Sequence, residues 1–224
     1  MRKARAIAIL TCAAACWAGA ASAQGIELGF YGGLQSAPPS GVTITGDGLL
    51  ADTDFTAGWE GRSLEPPPYY GLRATWWQGQ NLGFGVDFTH SKVYADDETL
   101  AETGYERLEF SDGLNIVTLN AYYRWPGAMG SATPYVGGGL GVAYPHVELT
   151  ETTPGGESET FGYQMTGPAV ALIAGVSVPI TDDWSVFGEY KGTYSMNEAD
   201  LDTGGTLETD IVTNALNVGV SFNF

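Results

Sequence analysis

The chain has 224 residues, with 26 acidic side chains against nine basic ones and a formal net charge of −17. So acidic a surface disfavours nucleic acid as a partner and would attract divalent cations or cationic partners. Both cysteines, Cys12 and Cys16, fall within the first 23 residues. The remainder therefore has no disulfide, thiolate metal ligand or cysteine nucleophile.

Residues 1–23 predict a cleaved secretory signal peptide. Three basic residues precede an apolar stretch, and Ala21-Ser22-Ala23 fits the small-residue cleavage pattern. A lipoprotein signal with Cys16 as the lipidated residue is the alternative. After the signal, no stretch is apolar over the roughly 18 residues that a membrane helix needs, which excludes a helical membrane protein but not a membrane barrel.

Residues 24–224 show a period of two rather than a helical period. In the last segment, Leu216, Val218, Val220, Phe222 and Phe224 share one parity, and small or polar residues take the other, so the two sets lie on opposite faces of a strand. Eight such segments follow in chain order: GIELGFYGGL, YYGLRATWW, LGFGVDFTH, NIVTLNAYYRW, PYVGGGLGVAYPHVEL, GPAVALIAGVSVPI, WSVFGEYKGTYS and DIVTNALNVGVSFNF. An even number of strands suits a closed antiparallel barrel.

The connections alternate between short and long, which is typical of outer-membrane barrels with periplasmic turns and external loops. The short ones are 78–81, 126–133 and 181–183, and the long ones are 36–68, 92–111, 150–162 and 196–209. The sequence thus predicts an all-β protein, one eight-stranded antiparallel transmembrane barrel of the bacterial outer membrane with four long external loops. A soluble β-sandwich or lipocalin-like barrel is the alternative.

Two partners follow from this architecture. The C-terminal strand ending in Phe224 resembles the signature by which the barrel assembly machinery takes up its substrates. The long connections and their flanks carry 21 of the 26 acids. Because lipid A in the outer leaflet is anionic, divalent cations are expected to bridge it to this surface. Simple solvation of exposed loops is the alternative.

Charged residues also fall on the inward parity of the predicted strands. An eight-stranded barrel is just wide enough for side chains, and buried charges must be paired. We therefore expect a structural network that plugs the lumen and excludes a porin, with a proton or ion path as the alternative. Its members are Glu27, Arg73, Asp87, Arg124, Glu189 and Lys191.

A second polar set continues the lipid-facing parity at the external ends of the third to sixth strands. Two histidines and a carboxylate are a usual ligand set for non-haem iron or copper, so His90, His146 and Glu148 are candidate catalytic and metal-binding residues. Pro145 interrupts the fifth strand and could reverse the parity of His146. Lipid headgroup binding without chemistry is the alternative. The remaining members of the patch are Lys92, Glu109 and Gln164.

Long strings of the chain resemble the lipid A oxidase family of Gram-negative bacteria, over most of residues 81–224. The strings are FTHSKVYADD, LEFSDGLNIVTLNAYYRWP, TPYVGGGLGVAYPHVE, GPAVALIAGVSVPITDDWSVFGEYKGTYS and DIVTNALNVGVSFNF. The resemblance implies an outer-membrane oxidoreductase that converts the proximal glucosamine of lipid A to 2-aminogluconate with molecular oxygen, favoured by divalent cations. It also implies a preference for lipid A without the phosphate on the anomeric carbon that is oxidised.

No catalytic motif transfers with the resemblance, so the site residues rest on the polar patch. No GxGxxG follows a strand, and we expect no nucleotide cofactor. A bound divalent or transition metal is the expected electron carrier. Lys92 is then a candidate contact for the remaining phosphate of lipid A, and Glu109 and Gln164 are candidate contacts for sugar hydroxyls.

Two other functions remain open from the sequence. A lipid A deacylase or acyltransferase would need a nucleophile, but His90 and Ser91 are neighbours in a strand and should point to opposite faces. A non-enzymatic barrel, either an adhesin or recognition protein or a lipopolysaccharide-binding structural protein, would use the same patch only as a lipid contact.

Overall fold

The computed structural model describes residues 23–46, 52–153 and 156–224. The predicted signal peptide, except for Ala23, lies outside the described residues. The described residues form thirteen strands and one helix: β1 Ala23–Ser36, β2 Ser40–Thr45, β3 Thr53–Ala57, β4 Trp59–Glu60, β5 Tyr70–Gln78, β6 Leu82–Ala95, α1 Asp97–Thr103, β7 Arg107–Arg124, β8 Thr133–Ala143, β9 His146–Thr153, β10 Gly156–Tyr163, β11 Gly167–Pro179, β12 Trp184–Asp200 and β13 Thr206–Asn223.

Eight of these strands close into a ring. The order is β1-β5-β6-β7-β8-β11-β12-β13, and β13 pairs with β1 again. Every pair in the ring is antiparallel. The prediction of an all-β, closed antiparallel barrel is confirmed, and the other five strands extend it.

The outer wall of the ring is apolar and exposed. Leu119, Leu140, Leu172 and Leu216, on four different strands, are each 69–71% exposed. Their inward-facing neighbours are mostly small or polar and are buried, as at Ala171. A continuous exposed apolar band of this kind is the lipid-facing surface of a membrane barrel.

Several strands are longer than a membrane requires. β7 and β13 have 18 residues and β12 has 17, whereas roughly 9–11 suffice to cross a bilayer. Their upper halves, with β2, β3, β4, β9, β10 and α1, form a cap at the end opposite the short turns. The segment 196–209, which the sequence predicts as a long loop, is mostly strand, because alternation continues there with polar residues outward and only residues 201–205 turn.

An apolar core fills the cap and the adjoining half of the barrel. It includes Phe110, Leu114 and Ile116 of β7, which are at most 1% exposed. Residues of other strands complete this core, among them Val42 of β2 and Leu207 of β13. The barrel is therefore closed at this end by packed side chains.

The helix α1 begins and ends with ordinary capping. The carboxylate of Asp96 accepts a hydrogen bond from the backbone N–H of Thr99 at 2.9 Å, and Gly104 ends the helix in the left-handed conformation at φ 80°. The helix has seven residues. Among the described residues no helix has the length and apolar character needed to cross a membrane.

Paired charges fill the lower half of the lumen. Arg73 donates two hydrogen bonds of 2.8 Å to Glu189 and one of 2.8 Å to Asp87. Lys191 is fully buried and also binds Asp87. Each carboxylate thus faces a cation, which compensates for the loss of water.

The two other predicted lumen residues lie nearer the short turns. Arg124 is 3.9 Å from Glu27, and its guanidinium lies 3.8 Å from the ring centre of Trp77. This pair and Arg73 line a common cavity of about 280 Å³. The charge network and the apolar core together close the barrel above this cavity.

Replacing Arg73 by Met should lower the free energy of unfolding by about 3–5 kcal/mol, because it leaves two buried carboxylates short of a cation. Urea unfolding in detergent micelles, followed by tryptophan fluorescence, measures this change. The matched control is Arg62→Met, which breaks the exposed Arg62–Glu60 pair and should change stability by less than about 1 kcal/mol. Equal effects of the two substitutions would contradict the role of the network.

Candidate functional site

A row of four neighbouring residues crosses four strands on the outer face of the cap, and three of the four are polar. Tyr94 of β6 lies opposite Glu109 of β7, Glu109 lies opposite Glu148 of β9, and Glu148 lies opposite Phe161 of β10. The two carboxylates are therefore direct neighbours across a strand pair. Their positions agree with the outward-facing patch that the sequence predicts.

Two irregularities in the strands shape the site. β8 ends at Ala143 and β9 begins at His146, so the strand predicted as continuous is broken at Pro145. At about the same height, β7 bulges near Gly113, which has φ 118°. The break leaves His146 on the face opposite Val147, a core residue, so its predicted outward parity holds.

The bulge changes the direction of Asp112. Its parity matches Phe110 and Leu114, which are both fully buried in the core, yet Asp112 is exposed. The bulge adds two residues to β7, because Ser91 pairs with Leu114 and Val93 pairs with Phe110, so the facing of the strand is reversed at Asp112 and restored beyond it. Sequence reasoning missed Asp112 for this reason, although an Asp-Gly pair inside an alternating segment is a signal for such a bulge.

Three side chains from these irregular segments converge. One ligand atom each of Asp112, His146 and Glu148 lie within 4.8 Å of one another. The Nδ1 atom of His146 is 3.1 Å from Oε1 of Glu148, but the angle does not make a hydrogen bond. Both of these side chains are buried, whereas Asp112 is exposed.

Neighbouring side chains orient Glu148. Ser111 donates to its Oε1 at 2.7 Å, and Arg107 donates to its Oε2 at 2.8 Å. Burial works to raise the pKa of Glu148, but these hydrogen bonds outweigh it and hold the pKa below its usual value. Burial raises the pKa of Glu109, and the adjacent Glu148 contributes to the rise. Of these two neighbouring carboxylates, Glu148 is therefore the more acidic and Glu109 the more basic.

His90 lies outside this group, although the sequence suggested a shared metal with His146 and Glu148. Its Nδ1 is hydrogen-bonded to Oδ1 of Asn115 at 2.9 Å, and its ring stacks on Tyr70 at 5.1 Å. Its Nε2 is buried and has no hydrogen-bond partner in the structure. Ser91 points the other way and donates to the carbonyl of Leu114, so no serine–histidine pair forms.

Two predicted substrate contacts brace the cap instead. Lys92 is fully buried, and its Nζ donates to the carbonyl of Glu65 at 2.9 Å. The amide of Gln164 exchanges two hydrogen bonds, of 2.8 and 2.9 Å, with the backbone of Asp200. Neither side chain is available to a ligand, because Lys92 binds the segment that contains Glu65 and Gln164 binds the backbone of Asp200. The alternation of residues in the sequence could not show where these two segments lie.

Aromatic rings border the site on its membrane side. Tyr144 and Tyr163 stack with ring centres 5.7 Å apart, and Tyr163 donates to the carbonyl of Asp112 at 3.0 Å. Phe161 and Tyr163 meet the ring of His146 edge-on at 4.4 and 4.7 Å. These rings fix the imidazole and leave their outer faces exposed.

Residues 7–224 match the family described as outer membrane protein beta-barrel domain. The chain belongs to this family. The protein is accordingly located in the bacterial outer membrane, as the sequence predicts. No curated protein matches the chain in sequence.

Three solved structures of outer-membrane proteins are similar to the chain. Neisserial surface protein A has 16% sequence identity and a TM-score of 0.51, over 89% of this chain and 97% of that one. The outer membrane protease OmpT from Escherichia coli has 9% identity and a TM-score of 0.49, over 91% and 98% of the two chains. OprG from Pseudomonas aeruginosa has 13% identity and a TM-score of 0.48, over 90% and 97%. The likeness to Neisserial surface protein A, at so low an identity, shows the barrel fold alone.

A general asymmetry of bacterial outer-membrane barrels gives the expected orientation of this one. Short turns face the periplasm, so the cap and the candidate site are external. From Leu82 to His90 the strand rises by about 26 Å along its length, or about 20 Å along the barrel axis at a tilt of about 40°, against an apolar band of about 25 Å. The site thus begins where the lipid-facing wall meets the headgroups.

Gly113→Ala should destabilise the protein by about 1–3 kcal/mol, because φ 118° strains a residue with a side chain and its Cβ would clash with the imidazole of His90. Urea unfolding in micelles measures the loss. Gly162→Ala is the matched control, since a Cβ there meets no atom within 4 Å. A variant at position 113 as stable as that control would show that the bulge does not require glycine.

Proposed function

We propose that the protein is a lipid A-modifying oxidase, which oxidises the proximal glucosamine of lipid A to 2-aminogluconate with molecular oxygen. The observation that carries the proposal is the direction of the site. Acid–base side chains lie on the outer side of the strands at the external end of the lipid-facing wall, and Asp112 among them is exposed, while the lumen is closed. The family resemblance of the strands supplies the reaction.

The reaction removes two electrons and two protons from the anomeric centre of the sugar. The C–H bond and the O–H bond of the hemiacetal break, a carbonyl forms, and molecular oxygen is reduced to hydrogen peroxide. Water then opens the resulting lactone to the acid. The product carries one oxygen atom more than the substrate.

His90 is the candidate base for the hydroxyl proton. Asn115 holds its Nδ1 at 2.9 Å, which leaves Nε2 as the atom that can accept a proton. The stacked ring of Tyr70 fixes the imidazole plane at the membrane side of the cluster. The fixed ring aims Nε2 in one direction, and because this atom is buried, neighbouring side chains have to move before a sugar hydroxyl reaches it.

The carboxylates near the site favour a substrate that carries less negative charge. Asp112, Glu109 and Glu148 lie together at the outer face, with Arg107 as the cation that contacts two of them. A phosphate on the reacting carbon would meet these negative charges. Lipid A without that phosphate avoids the repulsion and also leaves the anomeric hydroxyl free. A bound transition metal would supply the transfer of electrons to oxygen.

Purified protein in detergent, incubated in air with dephosphorylated lipid A and Mn²⁺ or Fe²⁺, should yield lipid A that is one oxygen atom heavier by mass spectrometry. His90→Ala and His146→Ala should each lower the rate at least about 100-fold, in line with the loss of a base or ligand. Glu198→Gln, an exposed change on β12, serves as the control and should retain the rate.

Absence of this product under every metal condition would refute oxidation. A rate that survives in both histidine variants would refute the site while leaving the reaction in place. Release of an acyl chain instead would identify a lipid A deacylase or acyltransferase. An unmodified lipid A with saturable binding would identify a non-enzymatic lipopolysaccharide-binding barrel.

A further inference from the structure

We infer that Asp112, His146 and Glu148 bind one divalent metal ion of the Mn²⁺ or Fe²⁺ class on the outer wall of the barrel. This set differs by one residue from the His90, His146 and Glu148 set that the sequence suggested. Asp112 takes the place of His90, which is held by Asn115 and Tyr70. The catalytic meaning of this set rests on the proposed function, but the binding of the ion does not.

The geometry points to a shared ion. The three ligand atoms lie within 4.8 Å of one another, close enough for one ion between them after small side-chain rotations. His146 is 4% exposed, and its Nδ1 has no hydrogen-bond partner although a carboxylate oxygen lies 3.1 Å away. A buried polar atom without a partner is unfavourable, and a metal bound by both groups would satisfy it.

The donor set selects the class of ion. Two carboxylates and one imidazole form an oxygen-rich site without thiolate, which suits Mn²⁺ or Fe²⁺. Structural zinc sites, by contrast, are rich in nitrogen and sulfur ligands. Compared with the set of two histidines and one carboxylate, this site is harder and more negative. Such a site favours a divalent ion because two carboxylates supply hard oxygen ligands and negative charge.

The surroundings hold the ligands in place. Ser111 and Arg107 fix the two oxygens of Glu148 at 2.7 and 2.8 Å, as outer-shell partners do in metal sites. Phe161 and Tyr163 hold the imidazole edge-on. Asp112 is exposed, so an ion held by these three side chains would be accessible from outside the protein.

Titration of the folded, detergent-solubilised protein with Mn²⁺ alone, without lipid A, tests the inference. The electron paramagnetic resonance signal of free Mn²⁺ should fall until one ion is bound per chain. Asp112→Asn, His146→Ala and Glu148→Gln should each weaken binding at least about tenfold. Asp97→Asn, in the first turn of α1, and His90→Gln should bind Mn²⁺ as the wild type does.

The unfolding temperature gives a second readout for variants that fold poorly, because an ion that binds only the folded state raises it. Mn²⁺ should raise this temperature in the wild type and in His90→Gln but not in Glu148→Gln. The inference is overturned if the wild type shows no saturable binding, if the three ligand variants bind normally, or if His90→Gln loses the ion. Because no lipid is present, none of these results depends on whether the protein oxidises lipid A.

Discussion

The closed ring of eight hydrogen-bonded strands is the constraint on which the rest of the structure depends. Inside a bilayer every backbone N–H and C=O must find a partner within the protein, and a closed ring satisfies them without an edge. Once the ring is closed, each residue faces either lipid or the lumen. Polar groups in the membrane-spanning part must then point inward and pair there, as Arg73 does with Asp87 and Glu189.

The candidate site exists because this regularity is interrupted at two places. The break at Pro145 separates β8 from β9, and the bulge at Gly113 turns Asp112 out of the core. Both lie at the height where the strands leave the membrane. Polar side chains can therefore collect on the outer wall, next to lipid headgroups, where a regular strand would have placed apolar residues or core residues.

Alternation alone predicted the barrel, the inward charges and the outward direction of His146 and Glu148, because each depends only on parity within a strand. It did not predict Asp112, since the two residues that the bulge adds turn this position outward while its neighbours of the same parity stay in the core. It also placed Lys92 at the surface, whereas the segment containing Glu65 covers it. The external connections were expected to be loops, yet 196–209 is mostly strand, because polar outward residues do not prevent strand pairing above the membrane.

The depth of the site in the bilayer is the most direct test of this account. With the predicted signal removed, the chain has no cysteine, so single cysteines can carry spin labels at Leu119, Phe161 and Asp202. In bilayers, the account predicts high oxygen and low nickel-complex accessibility at 119, the reverse at 202, and comparable values at 161, as at headgroup level. A label at 161 that behaves like the one at 202 would place the site clear of the membrane and contradict a function at the lipid surface.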